Sequence, residues 1–198
     1  MKRVVVAALL VGTTVAPSVK AEDYFQIQAN RATTEAMDEL CTDIADAADY
    51  YGLDDDCTDT DNGYRLAFGI GLSDSLALEV GYGDIATFSA GLSGYGEYEN
   101  YYFDVKGYDI AAVGRIALSD SVNLLARVGL LRWDADVRYS SSFGDDDSVS
   151  DSGNAKLFGA GIEFGIVTLN YELLQDVGND DIGEGDIKRT SLGLKFSF

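Results

Sequence analysis

Ile187 to Phe198, IKRTSLGLKFSF, is the stretch whose reading decides the fold. In an extended strand successive side chains point to opposite sides. Leu192, Leu194, Phe196 and Phe198 therefore share one face, and Ser191, Gly193, Lys195 and Ser197 share the other. In a water-soluble sheet the lysine face would look outward. In a membrane barrel the assignment inverts, with apolar residues toward lipid and polar ones toward the lumen.

Seven more segments repeat the alternation. They centre on Phe25–Ala29, Tyr64–Leu72, Leu76–Tyr82, Ile110–Leu118, Leu124–Leu130, Phe158–Phe164 and Val167–Leu173. Eight strands of about ten residues each suit tilted crossings of a bilayer. The connections alternate in length. Ser73-Asp74-Ser75, Ser119-Asp120-Ser121 and the step near Gly165-Ile166 are short. The connections over about 30–62, 84–107, 133–155 and 176–186 are long and polar. Short turns on one side and long loops on the other are the outer-membrane arrangement. The predicted fold is all-β: a closed, eight-stranded, antiparallel, up-and-down transmembrane barrel with both termini on the periplasmic side. The runner-up is a soluble periplasmic, lipocalin-like binding barrel.

The first 21 residues read as a leader rather than as fold. Lys2 and Arg3 form a basic start, Val4–Ala16 an apolar stretch, and Val19-Lys20-Ala21 a small-x-small cleavage site. Cleavage after Ala21 is expected, leaving residues 22–198 as one barrel domain exported to the bacterial outer membrane. The net charge is −20, with 34 acidic residues and no histidine. Such a surface repels nucleic acid, which needs Lys and Arg to displace counterions. Pro17 is the single proline, so the expected strands contain none, as suits a ladder that needs every backbone donor.

Cys41 and Cys57 are the only cysteines. In an oxidising compartment a close, even pair reads as a disulfide, and closing about 15 residues contributes roughly 3 kcal/mol in the chain-entropy view. Two free thiols are the alternative. In the same loop Met37, Leu40, Cys41, Ile44, Ala48 and Tyr51 follow helical spacing, which predicts a small helix there.

These segments carry a family resemblance. SDSLALEVGYGD (73–84), IALSDSVNLLARVGLLRWDADV (116–137), LFGAGIEFG (157–165), LNYEL (169–173) and LGLKFSF (192–198) resemble the OmpA-like eight-stranded outer-membrane barrel family. The resemblance extends over Glu22–Phe198, and the cysteine-bearing first loop is similar to that of small members. It includes no peptidoglycan-binding domain, so no cell-wall anchoring is implied. Ser191, Gly193, Phe196 and Phe198 also resemble the C-terminal signal read by the barrel assembly machinery.

The alternation places Arg65, Glu79, Arg115, Arg127, Glu163, Glu172 and Lys195 in the lumen. A barrel of eight strands is only wide enough to be filled by side chains. An unpaired ion there costs several kcal/mol, so these charges are expected to interlock. The family resemblance implies this most directly for Glu79, Arg127, Glu163 and Glu172. Gly69, Gly71, Gly81, Gly129, Gly159 and Gly161 share the inward face and leave room for the long charged side chains.

Outer-membrane barrel enzymes generally place a histidine beside serine or carboxylate partners; this chain has none, so no enzymatic activity and no cofactor are expected. The acid runs Asp54–Asp56 with Asp59 and Asp61, Asp145–Asp147, and Asp180, Asp181 and Glu184 lack the EF-hand spacing, and no metal site is assigned. Tyr95, Tyr98, Tyr101, Tyr102, Phe103 and Tyr108 supply rings for an interfacial girdle or a sticky loop surface. The expected function is a structural, surface-interacting role through the long extracellular loops. The alternative is a narrow, porin-like channel gated by the lumenal charges. Expected partners are outer-membrane lipid and lipopolysaccharide, the assembly machinery during biogenesis, and an extracellular ligand.

Overall fold

In the computed structural model the described residues are 22–144, 146–179 and 183–198, excluding the side chains of 179, 183 and 184. The expected leader, Asp145, Asp180, Asp181 and the Glu184 carboxylate lie outside them. Alternating side-chain polarity favours extended strands with one face in lipid, and the chain adopts that arrangement in the lower part of the barrel. The order is β1 (Tyr24–Thr34), α1 (Glu35–Tyr51), β2 (Asp54–Thr58), β3 (Thr60–Ser73), β4 (Leu76–Gly94) and β5 (Glu97–Ser119). There follow β6 (Val122–Ser141), β7 (Asp147–Phe164), β8 (Val167–Asn179) and β9 (Gly183–Ser197).

Every pairing is antiparallel, in the order β4-β3-β1-β9-β8-β7-β6-β5, and β4 pairs again with β5. The ladder thus returns on itself as an eight-stranded ring without a free edge. The ninth strand, β2, lies beyond β3 along the same side of β4, with Asp54 opposite Ser93 and Thr58 opposite Ser89. The first and last strands pair within the ring: Tyr24 faces Ser197 and Phe25 faces Phe196. The turns Asp74-Ser75, Tyr95-Gly96, Asp120-Ser121 and Gly165-Ile166 are each two residues long; in the last, Gly165 takes φ +57°, a left-handed conformation that costs glycine little.

The outward face of the lower barrel is apolar, with Phe25, Ile27, Leu66, Phe68, Leu78, Val80, Ile110, Val128, Ile162 and Leu194 exposed. A soluble lipocalin-like barrel would present the opposite polarity, so that runner-up fails. Tyr82 and Tyr108 stack at 4.7 Å between centroids at the upper edge of this belt. Outward cations Arg31, Lys106, Arg132, Lys156 and Lys188 follow above it.

The long connections differ from the sequence expectation. β4, β5, β6 and β7 run 18 to 23 residues, about twice the length that a bilayer crossing needs. The segments read as loops over 84–107 and 133–155 are mostly strand, and only their tips turn. The reason is a reversal of polarity within each strand. In β6, Leu124, Ala126, Val128 and Leu130 are on the outward face, whereas Leu131, Trp133 and Ala135 are buried inside. Above Leu130 the outward positions are Arg132, Asp134 and Asp136. A membrane barrel with a polar interior thus continues into an extracellular cup with an apolar interior and a wet exterior.

Helix α1 closes the cup. It forms where predicted, with Glu35 and Asp38 in its first turn, where carboxylates suit the helix dipole. It ends at Gly52, φ +67°, with the Leu53 N–H donating to the Ala48 carbonyl at 2.9 Å. Met37 belongs to the cup's apolar core, and Ile44, Cys57 and Phe103 pack against that core. Cys41 and Cys57 form a disulfide, fixing the helix to β2.

Candidate functional site

The lumen is divided into two layers of opposite chemistry. In the lower layer Arg65 reaches from β3 over β4 to β5. Its Nε donates to Asp109 Oδ2 at 2.7 Å and its Nη2 to Asp109 Oδ1 at 2.5 Å, a two-pronged contact. Nη2 also donates to Glu79 Oε1 at 2.8 Å, and Nη1 to Gln28 Oε1 at 3.2 Å. Glu79 accepts further bonds from the Tyr24 hydroxyl, at 2.8 Å, and from Arg127. Arg127 Nη1 donates to Glu172 Oε1 at 2.7 Å, and Arg189 Nε to Glu172 Oε2 at 2.8 Å.

Three arginines and three carboxylates therefore form one charge-balanced network, Arg65, Arg127 and Arg189 with Glu79, Asp109 and Glu172. All six are buried. Removed from water, each would be costly alone; the attraction of its partners and the several hydrogen bonds to each carboxylate offset that cost. Nearer the periplasmic turns a smaller group forms: Lys195 Nζ donates to Glu163 Oε2 at 2.5 Å and Asn123 Nδ2 to Glu163 Oε1 at 2.9 Å. Gln26 and Thr168 complete this level with a bond of 2.5 Å.

The expected lumenal residues are all inward and buried, but they do not act as one set. Arg115 makes no ion pair among the described residues. Its guanidinium lies over the Tyr24 ring, 4.7 Å from the centroid, a cation–π contact. Two ionic members were missed, Asp109 and Arg189. Both have inward parity, Asp109 with Val113 and Arg115, and Arg189 with Ser191 and Lys195. Continuing the alternation one step further up each strand finds them.

The inward glycines act as slots. A Cβ on Gly81 would collide with the Arg65 guanidinium, and one on Gly69 with the Tyr24 ring. The long side chains lie flat against the neighbouring strand because nothing projects there. The space left among Tyr24, Glu79, Arg115, Arg127, Glu163 and Lys195 is about 10 Å³, at most the room one water needs.

Above this plug lies the apolar layer: Ile85, Leu131, Trp133, Leu157, Leu174 and Ile187 are buried together. A chamber of about 330 Å³ remains between it and α1. Of the remaining predicted residues, Ser191 and Gly193 face inward and Phe196 and Phe198 lie on the exposed apolar face. Among the described residues no three acidic or cysteine side chains converge as metal ligands.

A closed antiparallel ring with an apolar belt outside and paired ions inside is a transmembrane β-barrel of the bacterial outer-membrane type. The chain belongs to the OmpA-like transmembrane domain family, whose sequence profile matches residues 29–198. Among solved structures it is similar to Neisserial surface protein A, NspA, at 13% identity, 89% of this chain, 97% of that one and a TM-score of 0.58. It is also similar to Ail of Yersinia pestis, crystallised with the heparin analogue sucrose octasulfate. There the identity is 14%, covering 89% of this chain and 99% of that one, with a TM-score of 0.49. The N-terminal barrel of Pseudomonas aeruginosa OprF matches at 13% identity, 89% and 100% coverage and a TM-score of 0.46. No curated protein sequence matches.

Proposed function

We propose that this protein is a sealed outer-membrane barrel that acts through its extracellular cup rather than by conducting. The supporting observation is the lower lumen, where interlocked side chains leave about 10 Å³. An ion path would require at least two of the pairs around Glu79 and Glu172 to separate together, exposing unpaired charge in a dry space. The porin-like alternative is thereby disfavoured. No catalytic step is assigned to it.

On this reading residues 1–21 are an export leader removed after Ala21, and Ser191, Gly193, Phe196 and Phe198 are read by the assembly machinery. The outward cations Arg31, Lys106, Arg132, Lys156 and Lys188 stand just above the apolar belt, at the depth of anionic lipopolysaccharide headgroups. The hairpins above them carry Asp54, Asp55, Asp56, Asp134, Asp136, Glu97 and Glu99, a surface suited to a cationic partner.

Single-channel recording of the refolded protein in a planar bilayer tests the sealed lumen. A silent, correctly inserted barrel is expected. Discrete openings whose size changes in Arg127→Ala and Glu79→Ala would instead establish a gated pore. Binding of polylysine to proteoliposomes, lost when the β4–β5 and β6–β7 hairpins are shortened, tests the cup; binding that survives the shortening contradicts that role.

A further inference from the structure

The cup holds a cavity of about 330 Å³ beneath α1, open to solvent beside the exposed Ala36 and Leu40. Met37, Phe88, Val105, Trp133, Ala135 and Ile187 form its walls, and among the described residues no charged side chain lines it. A second apolar cavity of about 400 Å³ adjoins it across Leu40 and Phe103. The helix therefore rests on the cup with its apolar face incompletely filled: Leu40 stays exposed and Ile44 only half-buried. Two fastenings hold it there, the Cys41–Cys57 disulfide and the Glu35–Lys188 ion pair.

We propose that this chamber is a binding site for a small, uncharged, mainly apolar molecule entering from the extracellular side. Its size is about twice that of the engineered apolar cavity that admits benzene, which sets the ligand at about ten to fifteen non-hydrogen atoms. The paired strands bar entry from the lipid, and Leu131, Leu157 and Leu174 above the ionic plug bar entry from below. A second copy of the chain or a partner helix does not fit, because α1 already covers part of the mouth and leaves only a gap beside the exposed Ala36 and Leu40. Anions are disfavoured twice over: the described walls offer no cation, and the covering helix is acidic, carrying Glu35, Asp38, Glu39 and Asp43. A buried carboxylate without a partner is costly.

Trp133 is the only tryptophan in the chain and forms part of the wall, so its emission reports occupancy directly. The experiment uses protein extracted from outer membranes, placed in lipid nanodiscs and titrated with 1-bromonaphthalene, a contact quencher. Saturable quenching is expected, with affinity weakened about tenfold or more when the space is filled by Ala135→Leu or by Ala36→Phe. Ala36 lies on the exposed side of the helix start, so that variant keeps the test decisive should Ala135→Leu fail to fold. The carboxylate analogue 4-bromo-1-naphthoate should quench far more weakly. Linear quenching, equal in the native protein and both filled variants, means partition into lipid and overturns the site. Equal affinity for the carboxylate overturns the assigned ligand class. Neither result bears on whether the lower lumen conducts.

Discussion

The lower lumen and the cup above it occupy one continuous ring of strands, yet they are packed on opposite principles. Below, Arg65, Arg127 and Arg189 interlock with Glu79, Asp109 and Glu172, and almost no space remains. Above, aliphatic and aromatic side chains line a chamber that stays partly empty. The difference follows from the surroundings. Where lipid bathes the outside, apolar residues are used up on the exterior, and the interior must be filled by polar groups that satisfy one another. Where water bathes the outside, the usual arrangement returns and the apolar face turns inward. Ionic filling demands full pairing, because each unmatched group is costly; apolar filling tolerates a void and can present it to a ligand.

The ionic layer depends most on Glu172, which serves both Arg127 and Arg189. Glu172→Ala leaves two buried guanidinium groups without it, and a loss of about 3–5 kcal/mol is expected, read as a lowered urea midpoint for unfolding from lipid vesicles. A loss below about 1 kcal/mol, as for a surface pair, would mean that water reaches the network. In the cup, removing the disulfide with Cys41→Ala and Cys57→Ala should cost roughly 3 kcal/mol by the chain-entropy view. That loss should fall on α1 alone, raising hydrogen exchange across Glu35–Tyr51 while the barrel midpoint stays fixed. A barrel midpoint that drops with it would join the two regions into one cooperative unit.

Gly81→Ala probes how tightly the lower layer is filled. The new methyl group meets the Arg65 guanidinium, and forcing that side chain aside should cost about 1–3 kcal/mol, the range for overpacking. The same unfolding measurement checks it. Gly178→Ala would confuse the matter, since Gly178 has φ +97° and is strained by any side chain.

The smallest effect concerns pH. The hydrogen bond from Lys188 holds the Glu35 carboxyl below its usual range. The folded-state value is depressed, so this contribution is present above the ordinary glutamate value of about 4.3 and lost as pH falls through the lowered one. Trp133 emission should change as α1 loosens on acidification. Lys188→Met should remove that transition while leaving the emission at neutral pH little altered; an unchanged transition would assign the loosening to other carboxylates.

Much of this architecture was legible in the chain. Residues 187–198 state the strand period and the face that meets lipid, and Ser73–Ser75, Ser119–Ser121 and Gly165–Ile166 state the short turns. The inward parity of Arg65, Glu79, Arg127 and Glu172 follows from the same alternation, because a period of two leaves no freedom once one strand face is assigned. The spacing Met37, Leu40, Cys41, Ile44 and Ala48 was enough to place α1.

What the alternation could not supply was the choice of partner. Arg65 pairs with Asp109 two strands away, and Arg115 turns from the carboxylates to the Tyr24 ring; both depend on stagger between strands and on which neighbour is a glycine. Nor did polarity alone separate loop from strand above the membrane. The doublet Leu130-Leu131 marks where β6 passes from lipid to water, but it gains that meaning only when the ladder shows one residue outside and the next inside. Sequence period determined the faces, through local chain geometry. Tertiary structure decided which medium each face meets and which charges meet each other, because those are set by the closed ring and its distances.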